Sequence, residues 1–143
     1  MLSGCVKPVI VWFCIVVSSL TCAVAAASRS VLDGVYTKAQ AVRGQAVYRE
    51  ECAKCHAENL TGGEGSPGLV GEEFTSKWSG KSVNSLFELT RKTMPSDDPA
   101  RLSRRQYADL IAFLRSANEY PAGEKELGNT PEALNDIRFE ARK

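Results

Sequence analysis

Apolar residues along this chain of 143 residues fall into blocks of differing period. From Val9 to Val17 they run without a break, behind Lys7 and ahead of Ser18 and Ser19. Between Thr37 and Cys52, Ala39, Val42, Ala46 and Val47 recur at helical spacing. Thr37, with Gln40 three residues on, has the form of a capping box, so a helix is predicted from Thr37 to Cys52. Residues 57–81 lose that period: Gly62, Gly63, Gly65, Pro67, Gly68, Gly71 and Gly80 predict loop. Ser82 then caps a short predicted helix over Val83–Arg91, whose apolar residues include Leu86, Phe87 and Leu89. After Thr93-Met94-Pro95 a second loop runs through Pro99. The clearest helix follows, with Tyr107, Leu110, Ile111 and Leu114 at i, i+3, i+4, i+7, a capping box at Ser103 and Gln106, and Asn118 and Pro121 as its stop. Residues 122–143 are polar, with Leu134 and Ile137 as the main apolar pair and Pro131 placed to open one more helical turn. No strand alternation persists and no segment repeats. The predicted fold class is all-α.

The first block reads as export machinery rather than fold. Lys7, the apolar run and the small residues of Ala23-Val24-Ala25-Ala26-Ala27 predict a cleaved signal peptide over residues 1–27. The alternative is an uncleaved anchor, since Val9 to Ala27 is long enough to enter a bilayer. A lipoprotein site at Cys22 is less well supported, because Ser19-Leu20-Thr21 lacks an apolar-then-small approach. The division expected is therefore signal peptide 1–27, one folded domain 28–121 and a polar C-terminal tail 122–143. An apolar fraction of 43% excludes a disordered chain. Net charge is +1, and removal of Lys7 leaves the remainder neutral, so no basic field points to nucleic acid.

Cysteine and histidine carry the chemistry. Three of the five cysteines lie in the first 22 residues; the other two, Cys52 and Cys55, are followed directly by His56, the single histidine of the chain. Cys52-Ala53-Lys54-Cys55-His56 is C-x-x-C-H, the signature of covalent c-type haem attachment. Two thiols three residues apart reach the two vinyl groups on one porphyrin edge, and the next residue sits beneath the ring with an imidazole for the iron. A structural zinc site wants four ligands, and the chain beyond the leader has three such residues. A thioredoxin-like pair sits at a helix N-terminus within a βαβ unit, whereas this pair follows the end of a helix. Met94 is the only methionine beyond the leader, and Pro95 holds it out of helical geometry. Two readings stand for it, the second axial iron ligand and a core-filling side chain; its loop position beside Pro95 favours ligation.

These residues resemble a class I monohaem cytochrome c over roughly Gly34 to Ala122. Gly44 and Tyr48 match the glycine and aromatic of that family's first helix, and Leu110 and Phe113 match the apolar and aromatic pair of its last. The resemblance implies that the two helices cross where the glycine lets their backbones touch. Pro67-Gly68-Leu69 is similar to the family's Pro-x-Leu segment, which implies a Pro67 carbonyl accepting from the His56 ring. Trp78 is implied either as a donor to a haem propionate or as a core residue; Phe74, Leu86, Phe87 and Leu69 are implied to line the haem pocket. Gly34-Val35-Tyr36-Thr37, Met94-Pro95, Tyr107-Ala108-Asp109 and Tyr120-Pro121-Ala122-Gly123 are similar to cytochromes that serve periplasmic quinoprotein alcohol dehydrogenases, although no dehydrogenase domain is present.

The function implied is that of a single-electron carrier and not an enzyme, with one haem c cycling between Fe(II) and Fe(III) under His56 and Met94. Its implied setting is the periplasm, and its partners a redox donor and acceptor, such as a quinoprotein dehydrogenase and a terminal oxidase. Two alternatives are a haem subunit of a larger complex and, should Met94 not bind iron, a haem enzyme or sensor. Charge is segregated along the sequence, with seven bases and three acids over 77–105 against two bases and six acids over 44–73. Such segregation either orients a partner during encounter or marks plain solvated faces. Each helix cap contributes about 1 kcal/mol, and isolated helices below about 12–15 residues are marginal in water. The haem-free chain is accordingly expected to be largely unfolded; circular dichroism of a Cys52→Ser, Cys55→Ser variant with a native helical signal would contradict this.

Overall fold

A computed structural model describes Met1, residues 28–63 and residues 65–140; the expected signal peptide lies outside the described residues. The described chain is mostly helical, as its periodicity predicts. Helices α1 (Lys38–Glu51), α2 (Ala53–His56), α3 (Glu72–Trp78), α4 (Val83–Thr93), α5 (Arg104–Ala117) and α6 (Pro131–Asn135) follow in order. Two short strands, β1 (Arg29–Ser30) and β2 (Ile137–Arg138), pair in parallel and bring the two ends of the described chain together.

Helix boundaries follow from their caps. Thr37 caps α1 by accepting from the Gln40 amide at 3.1 Å, and Ser103 and Gln106 complete a reciprocal box on α5. The box expected at Thr37 is only half formed. Gln40 is buried and spends its side chain on the Leu127 backbone, donating from Nε2 at 3.0 Å and accepting at Oε1 at 2.7 Å. Two bonds made out of water outweigh one made to a helix end that water can serve. Ser82 caps α4 as expected, and the helix runs to Thr93, two residues past the predicted end.

Two expectations need correction. Residues 57–81 are not all loop, because α3 forms between Gly71 and Gly80. Those glycines bound the helix instead of interrupting it; Glu72 and Glu73 favour its N-terminal dipole, and Phe74 and Trp78, one turn apart, are both buried. Residues 122–140 are not a free polar tail. Leu127, Leu134, Ile137 and Phe139 are at most 4% exposed. The Phe139 ring packs on Trp78 and Tyr120, while its backbone bonds Lys81 O and Gly80 N. Leu134 and Ile137 are the apolar pair read from the sequence; Leu127 and Phe139, at irregular spacing, add no periodic signal.

The core lies where α1 crosses α5. A Cβ on Gly44 would stand 1.8 Å from Asp109 O and 2.4 Å from Asp109 C, so the two backbones touch there. Beside that contact Arg43 grips Asp109 with two hydrogen bonds of 2.9 and 3.0 Å, and one turn on the Tyr48 and Phe113 rings meet at 5.3 Å. At the far end of α5, Arg115 is 1% exposed between the Tyr36 and Tyr120 rings and donates to Val31 O at 2.8 Å. Burial lowers its pKa to about 10.

Alanine in a helix interior normally stabilises by roughly 0.5–1 kcal/mol over glycine. At Gly44 the sign is expected to reverse. Gly44→Ala must push two backbones apart and should lower the unfolding free energy by about 3 kcal/mol, read from urea denaturation.

Candidate haem-attachment site

α1 ends at Cys52, where the backbone leaves helical geometry for one residue before α2 resumes. The Cys52 carbonyl accepts from both Cys55 N–H (3.1 Å) and His56 N–H (2.9 Å). That single turn sets Cys52, Cys55 and His56 at i, i+3 and i+4, on one face of the chain. Cys55 is exposed, Cys52 half-buried and His56 buried, and neither cysteine forms a disulfide. Burial, reinforced by the Glu51 carboxylate, pushes the Cys52 thiol up to about 11. At neutral pH it stays a thiol, the opposite of the thiolate a dithiol redox pair requires.

The loop after His56 is folded back on it. Leu60 N–H bonds Ala57 O (3.1 Å), Gly62 N–H bonds His56 O (3.0 Å) and Leu69 N–H bonds Leu60 O (2.8 Å). This return places Pro67 O 2.9 Å from His56 Nδ1. A carbonyl only accepts, so Nδ1 carries the hydrogen and Nε2 keeps its lone pair for a metal. Gly62 makes the return possible: its φ is +85°, and a Cβ there would stand 2.5 Å from Ser66 O. Ala57, directly after His56, also holds a positive φ of 62°, secured by the Tyr48 hydroxyl donating to its carbonyl at 2.6 Å.

Sequence reasoning assigned Asn118 only as a helix stop. In the structure its side chain fastens the returning loop to α5, donating to Leu69 O (2.9 Å) and Leu114 O (2.8 Å) and accepting from Gly71 N–H (3.0 Å). A helix-ending asparagine fifty residues from the loop it holds leaves no local signal. Leu69 is half-buried against the core.

Met94 closes α4 in extended geometry, φ −129° and ψ 146°, with its amide on Thr90 O at 2.8 Å and its side chain half-buried. Its carbonyl accepts from the Tyr107 hydroxyl at 2.7 Å. Trp78 is 5% exposed, with Phe74 and Phe139 as ring neighbours and the Lys81 ammonium over its face. Leu86, Phe87 and Phe74 are buried in the same core.

The two charged segments read along the sequence meet where Arg101 pairs with Glu51, next to Cys52. Within the basic segment Arg101 also pairs with Asp97, and Arg91 and Arg104 with Glu88. These ion pairs hold Glu88 and Asp97 below the usual carboxylate range.

Fold and site together define a small c-type cytochrome domain. The family model for cytochrome c oxidase, cbb3-type, subunit III matches residues 39–114, more than half of the chain, and the chain belongs to that family. No curated protein and no solved structure matches it. The family implies covalently bound haem c and haem-based electron transfer. The residues fit that group: two unpaired thiols share a face with an imidazole whose Nδ1 is already engaged and whose Nε2 is free to ligate.

Asn118→Ala would strip the part-buried Leu69 O and Gly71 N–H of their partner, while Leu114 O keeps the backbone amide of residue 118. It is expected to lower the unfolding free energy by about 2 kcal/mol. Asn59→Ala, an exposed change in the same loop, should stay within about 0.5 kcal/mol in the same urea titration.

Proposed function

We propose that this chain is a one-haem electron carrier, with thioethers at Cys52 and Cys55 and with His56 and Met94 as axial ligands. The observation that carries this reading is the hydrogen bond between His56 Nδ1 and Pro67 O, which orients the imidazole. The one histidine and one C-x-x-C-H of the sequence support a single haem. The group supplies an iron that alternates between Fe(II) and Fe(III), with little change in its bonds when both axial positions are filled. The chain's own residues orient, enclose and tune. Pro67 fixes the imidazole, Met94 offers a thioether that favours the reduced metal, and Leu69, Phe74, Trp78, Leu86 and Phe87 exclude water from its surroundings. Neither ligand position leaves room for a substrate, so the chain is read as a carrier and not an enzyme.

The setting proposed is the periplasm, with residues 1–27 as a signal peptide. Members of this family are typically exported, and among the described residues no helix is long and apolar enough to cross a membrane. The partners proposed are a protein electron donor, for which a quinoprotein dehydrogenase is one class, and an acceptor such as a terminal oxidase. Two of the motifs similar to quinoprotein-associated cytochromes have a structural task here. The Tyr36 hydroxyl donates to Tyr120 O at 2.6 Å and Gly123 N–H to Tyr36 O at 2.7 Å, so packing by itself accounts for them. The family's description favours a second reading, a haem-bearing subunit within an oxidase complex; co-purification with oxidase subunits from a native membrane would select it.

Protein matured in a host able to attach haem c is expected to be coloured and to gain the mass of one haem. Its oxidised spectrum should carry the weak far-red band of an iron–sulfur bond, and Met94→Ala should abolish that band while the covalent mass remains. A colourless product would overturn the whole reading. A coloured product without the far-red band would replace electron transfer with a ligand-binding or catalytic role at an open iron.

A further inference from the structure

Met94 stands where α4 stops, and Pro95 after it has no N–H to continue the ladder. Its two backbone groups are nevertheless both held. The amide stays on Thr90 O of α4 at 2.8 Å, while the carbonyl, turned out of the helix by ψ of 146°, accepts the Tyr107 hydroxyl of α5 at 2.7 Å. Tyr107 itself has no freedom to move. It is fully buried, with its ring edge-on to Phe87 of α4 at 6.2 Å. Loop 95–103 beyond Met94 keeps Pro95 and Leu102 buried, and its Ala100 and Leu102 backbone lies beside the same Tyr107 hydroxyl. Its internal backbone bonds are long, Asp98 N–H to Pro95 O at 3.2 Å and Arg101 N–H to Asp98 O at 3.4 Å, and the Arg101 pairs are made at the surface.

We propose that Tyr107 is the positioning residue for Met94, its hydroxyl holding the Met94 carbonyl against α5 so that the thioether stays aimed at the metal. This rests on the reading of Met94 as an axial ligand. With the hydroxyl gone, a part-buried carbonyl loses its partner and the residue pivots on its one remaining bond to α4. The cost falls on the conformation with sulfur bound, because a displaced Met94 turns its carbonyl to water.

Free imidazole competes with a methionine sulfur for ferric iron, so its affinity reports how firmly that sulfur is held. In the haem-loaded protein, Tyr107→Phe keeps the ring on Phe87 and removes one oxygen. It is expected to take up imidazole at roughly five- to tenfold lower concentration than the parent, the far-red band fading in step, as loss of one part-buried hydrogen bond implies. Tyr36→Phe is the control: it loses a fully buried hydroxyl-to-carbonyl bond, in the clasp where Tyr36 meets Tyr120. It should lower thermal stability and leave imidazole affinity unchanged. Equal imidazole affinity in Tyr107→Phe and the parent, both showing the band, would overturn the positioning role. So would an equal shift in both tyrosine variants, which would mean general loosening. A parent protein with no far-red band would instead overturn the ligand reading itself.

Discussion

Where α1 meets α5 there is no room for a side chain on Gly44, since a β-carbon would lie 1.8 Å from Asp109 O, far inside van der Waals contact. Close-packed interiors transmit such a constraint, because neighbours cannot absorb a displacement of that size. With the two backbones in contact, Arg43 reaches Asp109 with both arms of its guanidinium, and Tyr48 meets Phe113. Tyr48 then spends its hydroxyl on Ala57 O, one residue past His56. The crossing thus sets the end of α1, and the end of α1 carries both cysteines and the histidine. A contact made by the smallest residue in the chain governs where the face carrying Cys52, Cys55 and His56 begins.

From α5 the same helix reaches two further segments. Asn118 at its C-terminal end fastens the loop that presents Pro67 to His56, and Tyr107 near its N-terminal end grips Met94. Helix α5 therefore holds both the Pro67 loop and the end of α4, through one polar side chain each. Both groups are buried, where an unmade hydrogen bond costs most. Surface pairs such as Arg101 with Glu51 lie on the same seam, but screening leaves them little leverage.

The ends of the described chain add a second closure. β1 and β2 pair, Tyr36 bonds Tyr120, and Phe139 wedges between Trp78 and Tyr120. Arg115 lies buried in this clasp, its charge faced by two ring faces and one carbonyl. Burying a cation without a carboxylate is costly, and the depressed pKa expresses that cost. The clasp also covers α3 and the start of α4, so the segment after Pro121 belongs to the packing and not merely to the sequence beyond it.

The sequence by itself determined what is local. Helical period and caps located α1, α4, α5 and the turn at Pro131, because a cap needs only residues three apart. The C-x-x-C-H spacing pointed to attachment chemistry for the same reason: its three side chains share one turn. Resemblance to a known family added Gly44 as a crossing point and Pro67 as the imidazole's partner. Tertiary structure decided everything that depends on residues far apart in the chain. Gln40 abandoned its cap for Leu127, 87 residues away, and α3 formed between glycines that a window reads as breakers. Residues 122–140 became core through four scattered anchors, and Asn118 and Tyr107 took up posts that no neighbouring residue announces. Local patterns record the shape a segment prefers; which buried polar group meets which is settled only when the chain closes on itself and water is excluded.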